Sequence, residues 1–420
     1  MKRLRVTHIV LILLCLMYFI TYLDRTNVSS AAEGFGKEFN LSKTQIGFVF
    51  SAFAYPYLFI QIIGGWISDR FGARRTLIVC ALIWASATAL TGLAGGLTSM
   101  LIARVFLGIG EGATFPAATA AMSRWVAKGQ RGYAQGITHA ASRVGNAVAP
   151  SVVVLIMAAY GWRASFYVCA GISFLWVTLW ALTFTELPKD HPRITAAELA
   201  SLTTPPAQTP KVPWGPLLRR MAPVTIVYFC YGWTLWLYLT WIPQYFLHSQ
   251  HLDLKHSALS ASVVFFGAVL GDTLGGIVTD RILKRTGDLR RARSNMVSVC
   301  MLLSLITLLP LMISHTPVIS VLFLTVSFFF AEMTIGPMWA IPMDIAPDHC
   351  GTASGIMNTG SALAAMVSPV VGGFIIDQTG NWQMPFVGSM TLMGVGMLLA
   401  FRMRPDLKFE QPTVPAIAPG

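Results

Sequence analysis

The side chains able to do chemistry in this sequence are few, and they stand in apolar surroundings. Arg104 and Glu111 lie in RVFLGIGEGATFP (104–116), seven residues apart, so two helical turns place both on one face. Asp24 and Arg25 are neighbours in the first apolar run. Arg143 stands in the fifth run, Asp272 in the eighth and Glu332 in the tenth. An ionised group within a spanning helix is costly, which makes each of these a functional-site hypothesis. A guanidinium presents a planar donor fork suited to a carboxylate or sulfonate. Burial favours the protonated form of a carboxylate, and a nearby arginine favours the ionised form. A carboxylate that changes its distance from an arginine between two conformations is therefore a proton switch. Asp24, Glu111 and Arg104 have the types for that switch, unless Arg104 and Glu111 form a static pair. Arg25 either binds an anion or pairs with Asp24. Arg143 either binds an anion or neutralises an acid of another helix. Glu332 is a titrating group, a partner for Arg143, or a protonated packing residue. Asn358 is a candidate pocket donor. Trp233 belongs to an aromatic set in the seventh run, with Tyr228, Tyr231, Trp236 and Tyr238, read as the pocket's C-terminal wall. His139, one turn before Arg143, reads as a structural hydrogen-bonder.

The elements that must position these residues are spanning helices. The chain of 420 residues is 55% hydrophobic and 11% charged, where a soluble protein carries about 25% charge. Apolar runs near 20 residues recur along it, without the alternation of a β-barrel. Twelve spans are placed at about 7–32, 44–68, 76–96, 99–122, 132–158, 163–185, 222–246, 258–282, 294–314, 317–342, 351–377 and 382–403. The net charge of +12 does not point to nucleic acid, because 23 of the 30 basic residues fall on one side of these spans. That bias puts both termini in the cytoplasm. The loop at 343–350 has no Lys or Arg and is neutral evidence. The first run lacks a clean signal-cleavage site. The six cysteines have no paired spacing and read as reduced packing residues, with no metal or disulfide framework.

The chain also repeats itself. Gly65–Arg75, with Asp69, Arg70, Arg74 and Arg75, recurs as Gly276 to Arg285, with Asp280 and Arg281; Asp69 and Asp280 are offset by 211. Gly132, Gly136, Ser142 and Pro150 match Gly351, Gly355, Ser361 and Pro369 at an offset of 219. These acidic and basic clusters at helix ends read as an inner gate; Asp272, eight residues before Asp280, belongs either to that gate or to the site. The fold expected is all-α: a polytopic membrane protein of 12 transmembrane helices in two pseudo-symmetric six-helix bundles. Residues 1–185 and 219–405 form the bundles, 186–218 a proline-rich cytoplasmic linker and 406–420 a tail. Substrate sites in such repeats lie at the midplane between them.

With these signatures the chain resembles the major facilitator superfamily across nearly all its length. Within it, the chain is similar to the anion:cation symporter group, through Tyr22–Asn27, Ser51–Tyr57, Arg104-x6-Glu111-x4-Pro116 and Trp233–Tyr245. The resemblance implies alternating access, proton uptake at Asp24 and Glu111, anion binding at Arg25, partner exchange at Arg104 and a pocket hydrogen bond from Tyr57. It also exposes a departure. Arg143 replaces a glutamine of the sugar-acid carriers and Ala362 an asparagine, and the two are themselves related by the 219 offset. Fewer groups then meet sugar hydroxyls, and one more positive charge faces the cavity. The function expected is proton symport that imports a small organic anion: a carboxylate, dicarboxylate or sulfonate-carboxylate. The alternatives are a sugar-acid symporter (galactonate, glucarate or hexuronate type), an anion exchanger or drug exporter, and a non-transporting sensor. No cofactor and no enzyme motif is read, and the protein is expected as a monomer in a bacterial inner membrane.

Overall fold

The computed structural model describes all residues except 1–4, 42–44, 46, 47, 51, 203–210, 251, 253, 314, 315 and 410–420. Lys2, Arg3, Lys43, the linker prolines Pro205, Pro206 and Pro210, and most of the expected tail lie outside the described residues. No strand occurs among the described residues. Fifteen α-helices are described. The first bundle holds α1 (Val6–Glu38), α2 (Ala54–Phe71), α3 (Ala73–Gly92), α4 (Leu97–Gly112), α5 (Thr114–Trp125), α6 (Arg131–Tyr160) and α7 (Trp162–Thr183). The short α8 (Ala196–Ala200) lies in the connection. The second bundle holds α9 (Trp214–His248), α10 (Leu254–Thr286), α11 (Met296–Leu308), α12 (Pro317–Glu332), α13 (Ile335–Ile345), α14 (Cys350–Thr379) and α15 (Met384–Ala400). A π-turn, Arg291–Asn295, leads into α11.

Helices α4 with α5, and α12 with α13, each make one broken span, so the elements form twelve crossings. Ten are long and apolar enough to cross a membrane. The other two are α6, which carries Gln135, His139 and Arg143, and α15, of 17 residues. Both breaks have one local cause. The hydroxyl of Thr114 donates to the Glu111 carbonyl at 2.6 Å, and that of Thr334 to the Ala331 carbonyl at 2.6 Å. Pro116 and Pro337 follow and supply no backbone donor. Each break ends a helix beside a buried glutamate, Glu111 or Glu332.

The halves repeat their packing. Helix α1 lies on α6 as α9 lies on α14, and α3 on α7 as α11 on α15. The halves meet at two seams, α6 against α10 and α2 against α14. At the end carrying the basic loops the seams come into backbone contact. A Cβ on Gly65 would strike the Gly351 carbonyl, and one on Gly276 the Gly132 carbonyl, so only glycine permits this approach. Large apolar side chains such as Phe59, Leu155, Leu182 and Leu398 are exposed, as a lipid-facing perimeter requires.

Candidate functional site

A cavity of about 480 Å³ lies between the bundles. Its wall includes Tyr22 and Arg25 of α1, Tyr57 of α2, His139 and Arg143 of α6, Tyr228 and Trp236 of α9, and Asn358 and Ala362 of α14. On the side toward the basic loops it has an aromatic floor. Phe115 and Trp339, from opposite bundles, have ring centroids 6.2 Å apart, and His139 is 5.0 Å from both Trp339 and Tyr18. The indole of Trp339 donates to the Tyr228 hydroxyl at 2.7 Å. His139 therefore stands as a packing ring in this floor.

Arg25 donates from Nε to Glu111 Oε2 at 2.6 Å. Its guanidinium is boxed by the rings of Tyr57 at 4.7 Å, Tyr22 at 4.9 Å and Phe53 at 5.0 Å. Arg25 Nη2 is buried with no hydrogen-bond partner among the described residues. The expected alternatives for this region are corrected on two points. Arg25 does not pair with Asp24, because successive helical residues point about 100° apart. Asp24 instead turns into the first bundle, where Oδ2 accepts from Ser173 at 3.3 Å and Oδ1 has no partner among the described residues. Nor is Glu111 paired with Arg104. Arg104 donates to the Val49 carbonyl at 3.3 Å and lies 5.3 Å from the Phe53 ring.

Arg143 also faces the cavity, and its counterion comes from the other bundle. Its Nη2 donates to Glu332 Oε2 at 3.0 Å and to the Tyr231 hydroxyl at 3.2 Å. Tyr231 in turn donates to Glu332 Oε1 at 2.8 Å. Asp272 Oδ2 lies 3.8 Å from Arg143 Nε, which places Asp272 in this cluster and not in the gate. Arg143 Nη1 is buried and has no partner among the described residues. Each of these two arginines of the cavity wall thus keeps one buried guanidinium nitrogen without a partner among the described residues. Their guanidinium carbons lie 4.9 and 5.7 Å from one ring, that of Tyr22. Asn358 lines the cavity and donates to Gln61 Oε1 at 2.9 Å across the second seam. Trp233 does not line it. It sits 140° around α9 from Tyr228 and packs toward Gly388 of α15, whereas Trp236 faces inward.

Fewer of the residues expected of the gate link the two bundles, and others not singled out join them. Asp69 accepts from the backbone N–H groups of Gly351 at 2.8 Å and Thr352 at 2.6 Å, at the start of α14. Asp280 accepts from Gly132 at 3.1 Å and Tyr133 at 2.7 Å, at the start of α6. Each carboxylate caps a helix of the opposite bundle, where the helix dipole favours negative charge. Asp344 joins them, accepting from Arg131 at 3.4 Å and from Arg293 at 3.0 Å. Arg70, Arg75 and Arg281 are exposed and make no ion pair among the described residues. Arg74 bonds the Ala181 carbonyl within its own bundle. Their side chains leave the end of α2, α3 or α10 on the water side. Arg131, Arg293 and Asp344 were missed because Arg131 and Arg293 read as ordinary loop charges. Asp344 had no repeat partner to mark it.

Twelve crossings around a central cavity lined by aromatic rings and two arginines, closed at one end by crossed caps, define a multi-pass membrane transporter, not an enzyme. The chain matches the Major Facilitator Superfamily over residues 14–369 and 287–419 and belongs to that family. It is 46% identical over 416 residues to the probable sulfoacetate transporter SauU of Cupriavidus necator (strain H16), covering 98% of this chain and 97% of that protein. It is 28% identical over 410 residues to the hexuronate transporter of Bacillus subtilis (strain 168), covering 96% and 95%. The crystal structure of the superfamily transporter FucP in the outward conformation superposes with a TM-score of 0.74 at 15% identity, over 95% of this chain and 99% of that one, which shows the shared fold.

Proposed function

We propose that this protein imports a small organic anion with two acidic groups, of the sulfoacetate type, by proton symport with alternating access. One observation carries the reading. Arg25 and Arg143 line the same cavity, and each keeps a buried guanidinium nitrogen without a partner among the described residues. One acidic group takes the free nitrogen of Arg25 and the other that of Arg143, each as a charge-assisted hydrogen bond. The relative named a probable sulfoacetate transporter supports the same class of ligand. Tyr57 and Asn358 supply the few neutral donors, and Ala362 puts a methyl where a sugar acid would need a polar group.

Proton coupling follows from charge balance. When the anion takes Arg25, Glu111 loses its cation and either accepts a proton or turns to Arg104 on its own helix. Asp24 has no ion pair among the described residues, so an ionised carboxylate there would be uncompensated, and we assign it the other proton. Residues 1–185 and 219–405 act as the moving bodies. The basic end faces the cytoplasm of a bacterial inner membrane, so the closed caps describe a carrier shut toward the cell interior. The protein works as a monomer.

A thermal-shift screen of purified protein against small mono- and dianions tests this, because a ligand of the folded state raises Tm. Sulfoacetate and comparable dianions stabilise the protein more than acetate does. Stabilisation by galactarate or galactonate with indifference to small dianions would overturn it.

A further inference from the structure

Arg143 is faced by more negative charge than it can neutralise. Glu332 lies 3.0 Å from Nη2 and Asp272 lies 3.8 Å from Nε, and both carboxylates are fully buried. Neither oxygen of Asp272 has a hydrogen-bond partner among the described residues. The other groups facing the cluster do not correct the balance. Tyr231 donates to Glu332 and lies parallel to Tyr228, the Tyr22 ring covers Arg143, and His139 sits one turn away beside that cation. A charge on His139 would be a second cation within an aromatic floor. Two ionised carboxylates on one guanidinium would leave an uncompensated buried charge, which one shared proton removes.

The fold does not require charge at this place. The position related to Asp272 by the 211 offset is Gln61, and that related to Arg143 by 219 is Ala362. At that second seam the link is neutral, Asn358 to Gln61 at 2.9 Å. The charged seam is also tight: a Cβ on Gly136 of α6 would strike the Asp272 carbonyl. Arg143 thus bridges the bundles at a point of backbone contact.

We propose that Asp272 and Glu332 form a second proton-binding site, in the C-terminal half, which releases Arg143 to the anion's second acidic group. This rests on the reading that Arg143 binds that group. In the empty carrier the two carboxylates hold one proton and Arg143 balances the remaining charge. When the acidic group pairs with Arg143, a Glu332 oxygen takes a proton from a hydronium ion that reaches the cavity from bulk solvent, an O–H bond of the hydronium breaking as the carboxyl O–H bond forms. The anion's charge replaces that of Glu332, and the cluster stays neutral. A dianion therefore moves with one proton more than a monoanion does.

The test counts protons taken up by the purified full-length chain, in weakly buffered detergent with a pH indicator, on saturation with sulfoacetate or acetate. Wild type takes up about one proton more per sulfoacetate, and the double variant Asp272→Asn/Glu332→Gln removes that excess while sulfoacetate still binds. Each single variant, Glu332→Gln or Asp272→Asn, keeps the excess, because the carboxylate left behind is ionised against Arg143 in the empty carrier and takes the proton on binding; this covers the case in which the double variant misfolds. Sulfoacetate binding to wild type with the same proton count as acetate, an unchanged excess in the double variant, or its loss in either single variant, overturns this proposal alone. No sulfoacetate binding by wild type overturns the two-arginine reading and this one with it.

Discussion

Arg25 and Arg143 share a cavity but are neutralised in different ways. The partner of Arg25 is Glu111, on α4 of the same bundle, at 2.6 Å. The partners of Arg143 are Glu332 and Asp272, on α12 and α10 of the other bundle. Both glutamates sit where a spanning helix breaks, beside Thr114 and Thr334. The local devices are therefore alike, and only the address of the counterion differs. An ion pair inside one bundle can exchange its partner while the bundles stay still. In the proposed alternating access, a pair across the bundles must also break or re-form as they move. The first can register ligand alone, whereas the second registers ligand and conformation together.

The largest effect that would test this contrast is at Arg25. Arg25→Gln should abolish uptake of mono- and dianions alike, by ~100-fold or more, since it removes a buried charge pair and the ligand's first fork. Equal tracer uptake by this variant and wild type would remove Arg25 from the site. Glu111→Gln comes next. It should stop accumulation driven by a pH gradient while sparing binding and counterflow exchange, and proteoliposome uptake with and without the gradient separates the two. Arg143→Gln should weaken dianions by ~10- to 50-fold and leave a monoanion within about twofold, the loss of one charged hydrogen-bonded contact. Equal loss for both ligands would erase the distinction between the arginines. Asp69→Asn and Asp280→Asn should each weaken closure of the basic end by ~1 kcal/mol, as helix caps do. Thiol labelling of a cysteine introduced on the floor should rise similarly in both.

The smallest effect is at an exposed pair. Arg163 lies 2.6 Å from Glu38 at the end of α1 opposite the basic loops. The hydrogen bond from Arg163, then that from Trp162, lowers the Glu38 carboxyl below its usual 4.5. A lowered carboxyl contributes stability above its unfolded value, and that contribution is lost as pH falls through the folded value. Acidification below about 4.5 should therefore loosen this contact slightly, by a carbon-detected titration of the Glu38 side chain, with little change in Tm. A large drop in Tm from Glu38→Gln would mean that exposed pairs here carry the weight assigned to buried ones.

Much of the fold was legible because its signals are additive. Apolar runs set the spans, and the 211 and 219 offsets exposed the two halves. The crossed capping agrees with those offsets, because Asp69 reaches Gly351 and Asp280 reaches Gly132. The members of the cavity were partly legible, since a buried charge is rare enough to stand out. Their pairing was not. Which carboxylate Arg25 meets depends on the rotation of α1 against α4, and no spacing within one helix encodes it. The choice of Trp233 over Trp236 failed for the same reason: three residues shift a side chain by about 60°, enough to leave the cavity. Asp344 was invisible because its two arginines come from Arg131 and Arg293, far apart in sequence.

The crossed caps also bear on how easily the proposed alternating access can proceed. Asp69 and Asp280 lie near the ends of α2 and α10 that carry the basic loops. When the bundles part there, solvent can hydrate both carboxylates and the freed N–H groups of α6 and α14. The bonds broken are replaced rather than lost, so their net worth is small beside their number. A latch made this way keeps the two conformations close in free energy. Such near-balance lets differential affinity for a small ligand, worth only a few kcal/mol, decide which conformation is populated.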